Sequence, residues 1–448
     1  MSQSGTPVSM FARSSVHRDP VWIGICDELR PGARFPNKNC GFSFVVSGEL
    51  VKAGNRVEFY ESETGKELEF SPYTFQASEE TWVEKLIRLS HLPIIDVSAL
   101  REVNNKLVCR VMLVGSHRSR DGMSLIVENA DGEHVVPQEK IELVQPSGTK
   151  SVWPRSSFWF ASSWPGNFLS VDVTAYFDAP NRDHGVDYIA LKIRSSDSAS
   201  PITRVRDVGR VPAGTIVLPP EVNVRRVQAK GTIEQKFTTS AFSHYRTYRK
   251  VFERYSGRPW DEIDALLDWG CGCGRVTQHL MNSLNKEKVF GADIDKGNID
   301  WCLSHLRSAN FKLCETQPPL VFSNNTFDYI TATSVFTHVP EQLVEPWLAE
   351  LRRVLKPGGL AALTVGSETR LAFGSYSSDR LEEVEARGID DSIRNKQLEG
   401  SISDSDYYRN VRMTKAYIRR VWSKYFTIVE ILDHGIGVQD IVVCQKIG

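Results

Sequence analysis

The sequence predicts a two-part chain, with an all-β, sandwich-like region in the N-terminal half and an α/β region with a mainly parallel sheet from about Lys236 onward. Three observations carry this reading. Apolar residues alternate with period two through much of the first 200 residues. After Lys236, helix-length and strand-length apolar segments take turns, as they do when helices cover a parallel sheet. Between one such strand and helix stands a glycine-rich turn, "LLDWGCGCGRVTQHL" (266–280). The expected divisions are a disordered tail over 1–19, β modules over 20–78 and 95–200, a linker over 201–235 and the α/β domain over 236–448.

Taken in order, the first residues, "MSQSGTPVSMFARSSVHRDP", are polar and lack the apolar core of a signal peptide, so they read as disordered. In "FLSVDVTAYF" the residues Leu169, Val171, Val173, Ala175 and Phe177 share one face, and in "YIALKI" Ile189, Leu191 and Ile193 do the same. The stretches "VVSGELVKAGNRVEFYESETGKEL" and "MLVGSHRSRDGMSLIVENADGEHV" align without a gap at an offset of 67, pairing Gly48 with Gly115, Glu61 with Glu128 and Gly65 with Gly132. Each of the last two glycines suits a hairpin turn. Between the copies, "EETWVEKLIRLSHL" has helical spacing. The segment 201–235 holds four prolines and many arginines and reads as a solvated linker.

The second half gives helix "SHYRTYRKVFERYSG", strand "ALLDWG", helix "RVTQHLMNSLN", strand "KVFGADID", helix "NIDWCLSHLRS" and strand "TFDYITATSVF". Pro346 then falls inside the helical pattern "EQLVEPWLAELRRVL", so that helix either starts near Glu345 or kinks there. Lys356-Pro357-Gly358-Gly359 turns the chain into the strand "GLAALTVGS". A long segment, 375–414, separates this strand from "YIRRVWSKYF" and reads as an insertion or lid. The last residues predict a strand pair that adds an antiparallel edge.

Composition sets limits on function. The net charge of −1 gives no general attraction to nucleic acid or anionic lipid, and no apolar run approaches a membrane span. The eight cysteines are scattered, with no C-x-x-C pair and no zinc spacing, which predicts a reduced, cytoplasmic protein without a metal site.

The glycine turn carries the chemistry. It follows a strand and opens a helix, where an open α/β sheet presents a ligand with bare backbone and a helix N-terminus. Its G-x-G-x-G spacing differs from the G-x-G-x-x-G of pyrophosphate loops, which weighs against an NAD-linked oxidoreductase. The next strand ends in Asp293, 19 residues after Gly274, placed to accept from both hydroxyls of a ribose. Asp268, the glycine loop, Asp293, "FDYI", "SVFTHVPE" and "LRRVLKPGG" follow in order.

This ordered set resembles the class I S-adenosylmethionine-dependent methyltransferases over roughly Lys236–Gly448, and within them bacterial enzymes associated with surface glycans and natural products. The resemblance implies a Rossmann-like domain with a seven-stranded sheet and S-adenosyl-L-methionine as cofactor. It implies that Gly270, Cys271, Gly272 and Gly274 cradle the methionine moiety, with Arg275 beside them and Asp268 near the ammonium. Asp293 would hold the ribose, Ile294 would pack on the adenine, and either Glu315 or Thr316 would meet the adenine edge. Thr333 and Ser334 would offer backbone carbonyls.

A sugar-type hydroxyl is hardly ionised at neutral pH, so its methylation calls for a general base. His338 in "VFTHVPE" follows the fourth strand and has the right intrinsic pKa; capping the next helix is its plainer role. Tyr408 and Asp440 are the candidate substrate contacts. The expected acceptor is a sugar, glycan or other small molecule, and the β modules are expected to bind a carbohydrate, a protein partner or a second copy. Three alternatives stand beside this: a cofactor-binding regulator without turnover, an N-methyltransferase, and a nucleic-acid methyltransferase. The last is disfavoured by the charge and by the absence of an "NPPY"-type motif.

Overall fold

The computed structural model describes residues 8–14, 21–26, 56–61, 73–74, 95–103, 106–113, 123–135, 142–144, 169–175, 180–195, 204–227, 236–306, 310–372, 378–400, 402 and 406–447. The chain forms two compact units, Met1–Glu84 and Lys85–Gly448. In the first, β1 (Val8–Ser14), β2 (Val21–Cys26), β3 (Arg56–Glu61) and β4 (Tyr73–Thr74) make one sheet in the order β2-β1-β3-β4. The tail expected over 1–19 is therefore corrected in part: Val8–Ser14 is a strand with a neighbour on each side, which satisfies its backbone on both edges. The helix expected near 79–92, and Gly48, Gly65 and Gly115 of the proposed repeat, lie outside the described residues.

The second unit opens with β5 (Ile95–Val103), β6 (Lys106–Leu113), β7 (Met123–Asn129), β8 (Gly132–Val135), β9 (Glu142–Val144), β10 (Leu169–Ala175), β11 (Asn181–Asp183), β12 (Val186–Ser195) and β13 (Arg204–Arg210). They form two antiparallel sheets, β5-β6-β10-β9 and β11-β12-β7-β8, with β13 added beside β12. The expected solvated linker is thus corrected. Residues Arg204–Arg210 within it are β13, and residues Glu221–Val227 form a short helix, α1. Charged residues on a strand mislead a reading by composition when one of them, here Asp207, is buried against partners elsewhere in the fold.

The Asp207 carboxylate in the middle of β13 meets cations of α2 (Ala241–Ser256), which ends at Gly257 in the left-handed conformation (φ 64°). Arg246 donates Nε to Asp207 Oδ2 (3.0 Å) and Nη2 to the Tyr188 hydroxyl (2.9 Å), and it pairs with Asp183. Arg249 Nη1 reaches Asp183 Oδ1 at 2.7 Å, and Lys250 Nζ reaches Asp207 Oδ1 at 2.7 Å. Asp183 and Asp207 are buried, so each carboxylate depends on these cations. Asp207→Ala should therefore cost about 3–5 kcal/mol, read as a lower midpoint in chemical denaturation, because Arg246 is left buried and short of its counter-ion.

The α/β region continues with β14 (Leu266–Trp269), α3 (Thr277–Ser283), β15 (Val289–Asp293), α4 (Lys296–His305), β16 (Phe311–Leu313), β17 (Phe327–Ala332), α5 (Glu341–Val354) and β18 (Leu355–Val365). After β18 come α6 (Glu368–Ala372), α7 (Ser378–Arg387), β19 (Ile389–Arg394), β20 (Arg409–Met413), α8 (Lys415–Trp422), β21 (Thr427–Ile436) and β22 (Gln439–Gln445). Seven strands join in the order β16-β15-β14-β17-β18-β22-β21, and only β22 runs against the rest. Helix α5 begins at Glu341 and continues through Pro346, burying Val344, Trp347, Leu348 and Leu351 against the sheet. The order of strands reverses beside β14, which opens a crevice at the C-terminal ends of β14 and β17.

Candidate functional site

The glycine turn after β14 is anchored from below. Gly270 N and Cys271 N both donate to the Ala292 carbonyl, at 2.7 and 3.1 Å. Gly270, Gly272 and Gly274 have φ of 76°, 54° and 77°, a region that side chains resist. The sharp turn expected of these glycines is present, and the space beside them is also filled by the protein itself. A Cβ on Gly270 would lie 2.2 Å from Val335 Cγ2, one on Gly272 2.6 Å from Val227 Cγ2, and one on Gly274 2.7 Å from Leu306 Cδ1. The glycines admit the protein's own neighbours, and for Gly272 that neighbour is α1.

Helix α1 is held across the turn by polar bonds. Asn223 Nδ2 donates to Asn298 Oδ1 (3.0 Å) and to the Gly297 carbonyl (3.2 Å). Val217 and the Gln278 amide exchange a reciprocal pair of bonds at 2.8 and 3.0 Å. Gly272→Ala should lose about 1–2 kcal/mol from the left-handed backbone alone, plus the clash with Val227. Adding Val227→Ala should recover the second part and not the first, as measured by denaturation midpoints.

Cys271 and Cys273 are buried, and burial pushes the Cys273 thiol up to about 12 and the Cys271 thiol well above its ordinary value. Cys271 and Cys302 each direct Sγ at the Gly272 carbonyl at 3.6 Å, so these thiols stay protonated and support the turn.

The two expected carboxylates differ in environment. Asp268 is buried, accepting from Thr277 Oγ1 at 2.6 Å and Thr331 Oγ1 at 3.1 Å. Asp293, half-buried at the end of β15, accepts from Gly272 N (2.7 Å) and Asp295 N (2.8 Å). Burial raises both to about 6 against these bonds. A carboxylate has about four lone-pair directions. Asp293 therefore keeps capacity for two further donors while fixing the turn beside it.

Arg275 is buried and donates Nη2 to His244 Nδ1 at 3.1 Å, while its Nη1 has no protein partner. A guanidinium nitrogen can only donate, so a buried orphan of this kind calls for an acceptor, and an amino-acid carboxylate supplies one. The Asp293 and Arg275 arrangement fits a ligand carrying a ribose at one end and an amino acid at the other.

Ile294 is half-buried against the core beside Asp293. After β16, Glu315 is exposed and Thr316 half-buried. Thr333 Oγ1 shares a 2.8 Å bond with the Tyr248 hydroxyl. Ser334 has φ of 62°, unusual for a residue with a side chain, and is fixed by three bonds: its N–H to Thr364 Oγ1 (2.7 Å), Thr337 Oγ1 to its carbonyl (2.8 Å) and Gln439 Nε2 to its Oγ (2.7 Å).

His338 stacks on Tyr408, with ring centroids 4.0 Å apart, and its Nδ1 lies 2.7 Å from the Arg409 carbonyl. A carbonyl only accepts, so Nδ1 carries the proton and Nε2 presents its lone pair. Burial lowers the ring to about 4, with Arg370 and Arg412 acting in the same direction, so Nε2 is unprotonated at neutral pH. Asp440, fully buried and raised to about 6 by burial, accepts from His434 N at 2.9 Å and sits on the strand beside Val365. The fold thus ties Asp293 to the turn through the Gly272 amide, Ser334 to Thr337, and His338 to Tyr408 by stacking. Tyr248, Val227, Arg409 and Thr364 were not singled out from the sequence, since each acts through a partner far along the chain.

This geometry defines a Rossmann-like α/β domain with the glycine turn and Asp293 at its switch point. Residues 266–359 match the model of the methyltransferase domain family. The chain is 27% identical over 131 residues to a probable methyltransferase, ltbC, of Aspergillus luteorubrus, covering 27% of this chain and 46% of that protein. It is 33% identical over 108 residues to the demethylmenaquinone methyltransferase of Staphylococcus aureus, covering 23% and 44%. The chain therefore spans less than half the length of these relatives. Among solved structures, a SAM-dependent methyltransferase from Methanosarcina mazei is similar at 20% identity and a TM-score of 0.32, over 44% of this chain and 97% of that one. Residues 266–359 are thus similar to methyltransferase domains, and the cofactor this similarity supports is S-adenosylmethionine.

Proposed function

We propose that the α/β half moves a methyl group from S-adenosylmethionine to a hydroxyl of a sugar, glycan or other small molecule, with His338 as general base and no metal. The observation that carries this is the tautomer of His338: Nδ1–H is committed to the Arg409 carbonyl, which leaves Nε2 bare. S-adenosylmethionine, when bound, supplies an already activated sulfonium methyl that departs from a neutral thioether. The chain's part is placement and proton removal. Asp293 holds ribose hydroxyls, Arg275 takes the amino-acid carboxylate, and Thr333 and Ser334 fix the wall between donor and acceptor. His338 Nε2 accepts the hydroxyl proton as the oxygen takes the methyl, and the imidazolium returns the proton to water. In the same reading the β-rich half is a sandwich-like module that binds a carbohydrate, a protein or a second copy, in a cytoplasmic protein.

Titration of the full chain with S-adenosylhomocysteine and, separately, with NAD tests the donor. Binding of the first and not the second is expected, and failure to bind S-adenosylhomocysteine would overturn the proposal. Labelled S-adenosylmethionine incubated with cell extract, followed by mass spectrometry of labelled products, then tests for transfer to a hydroxyl.

A further inference from the structure

His338 and Arg409 are tied to each other twice. Arg409 N donates to the His338 carbonyl at 3.1 Å, and His338 Nδ1–H donates to the Arg409 carbonyl at 2.7 Å. The peptide that receives the ring is itself held by β19. Asn395 N, just past that strand, donates to the Tyr408 carbonyl (2.8 Å), Asn395 Nδ2 donates to Asn410 Oδ1 (2.9 Å), and Arg394 stands opposite Arg409 in the register. The Arg409 side chain reaches back the same way, with Nη1 on the Asp391 carbonyl at 3.2 Å and Nε on the Asp406 carbonyl at 3.0 Å. Three residues beyond His338, Glu341 N donates to Asp391 Oδ2 at 3.0 Å. The turn from His338 to Glu341 is therefore gripped at both ends by the β19–β20 pair. The first turn of α5 takes its side-chain acceptor from Asp391, which leaves the His338 ring free of that duty.

A second restraint comes from the side. The Tyr408 ring lies 20° from parallel to the imidazole, with centroids 4.0 Å apart, and both residues are half-buried. The two restraints act in different directions. A hydrogen bond at Nδ1 fixes one edge of the ring but lets the ring rock about the Nδ1···O line. A flat neighbour against the ring face removes that rocking. One face of Tyr408 is thereby occupied by the imidazole, which gives this tyrosine a task other than the substrate contact expected of it.

We propose that Tyr408 is a positioning residue: its ring face and the Arg409 carbonyl together aim His338 Nε2 at the acceptor hydroxyl, so that β19 and β20 build the base and do not merely cover one already formed. This rests on the methyltransferase reading with His338 as base, and deepens it. The tyrosine acts through its ring face, and its hydroxyl is not needed for the task. The tautomer follows from the same arrangement, because the nitrogen held against the carbonyl must carry the proton.

The test uses the full chain with isotope-labelled histidine, saturated with S-adenosylhomocysteine so that donor binding is verified first. Long-range proton–nitrogen spectra read the tautomer, and the signal missing from His338→Gln identifies His338. Wild type should show the Nδ1–H form alone. Tyr408→Leu fills the space without a flat face, and should add an Nε2–H population while leaving S-adenosylhomocysteine affinity within about twofold. Transfer from labelled S-adenosylmethionine into cell extract should fall about tenfold to a hundredfold in Tyr408→Leu. Tyr408→Phe should restore both the single tautomer and most of the transfer. The spectra read the placement of the ring whether or not the extract holds an acceptor. A tyrosine that only packs the wall would lower the denaturation midpoint in Tyr408→Leu and leave the His338 spectrum as it was. That unchanged spectrum, undiminished transfer in Tyr408→Leu, or a Tyr408→Phe variant as impaired as Tyr408→Leu would each overturn the proposal. Failure of S-adenosylhomocysteine to bind wild type would instead overturn the methyltransferase reading.

Discussion

Asp293→Ala is expected to weaken binding of S-adenosylmethionine by about a hundredfold or more, the largest effect foreseen for a single change. Two losses combine. The Gly272 and Asp295 amides, at 2.7 and 2.8 Å, lose a charged acceptor, and the ribose hydroxyls lose theirs. Hydrogen bonds to charged groups contribute about 1.5–3 kcal/mol each, and about 2.7 kcal/mol corresponds to a hundredfold change. Asp293→Asn keeps the shape and one acceptor oxygen, so it should fall between wild type and alanine. The pH dependence has a definite sign. With its carboxyl raised to about 6, Asp293 takes up a proton as pH falls through 6. A ligand that prefers the ionised form then loses up to about tenfold in affinity per further pH unit. Isothermal titration with S-adenosylhomocysteine between pH 8 and 5 reads this directly. An affinity flat across that range would show that Asp293 does not meet the ribose as a carboxylate.

His338→Ala comes second: turnover should fall by about 10² to 10⁴, with S-adenosylhomocysteine affinity unchanged. The companion His338→Gln keeps a flat amide to lie on Tyr408 and a donor for the Arg409 carbonyl but no base of useful strength, so it should be as inactive as alanine and better folded. A histidine that only shapes the wall would give the opposite ordering, with glutamine near wild-type turnover. Because burial holds the ring at about 4, the neutral form prevails above that pH, and activity should not rise through the usual histidine range near 6.5. The stability linkage has its own sign. The unfolded chain protonates His338 below about 6.5 and the folded chain only near 4, so this residue's contribution is complete above 6.5 and is lost as pH falls to 4. Asp268, Asp293 and Asp440, all raised to about 6, act in the opposite direction, since the folded chain binds their protons first. Denaturation midpoints compared between wild type and His338→Gln would isolate the histidine component.

Features that depend on neighbours in sequence were the legible ones. The βα alternation, the turn "GCGCG", Asp293 at a strand end and the terminal hairpin all follow from short-range patterns. Pro346 was readable only as a disturbance, because a helix tolerates it where packing of Trp347, Leu348 and Leu351 holds the turn on either side. Strand β13 was hidden, because "RVRDVGR" looks solvated until Asp207 is given Arg246 and Lys250 from a helix some forty residues on. Strand β20 was hidden for a related reason: besides β19 its backbone partners are loops, Thr337, His338 and Gly366 among them, and loops leave no periodic signal. The meaning of the glycines was half visible. Sequence shows that side chains are missing, but the atoms that occupy the space they leave, those of Val335, Val227 and Leu306, come from distant positions.

The contact between Val227 and Gly272 bears on how this protein can be divided. A fragment starting at Lys236, where the α/β pattern begins, would lose α1 from above the turn, Val217 from Gln278 and Asp207 from Arg246 in a single cut. A piece that keeps these contacts therefore has to begin upstream, early enough to include β11 through β13, and a shorter one should be recovered poorly folded and with its glycine turn disturbed.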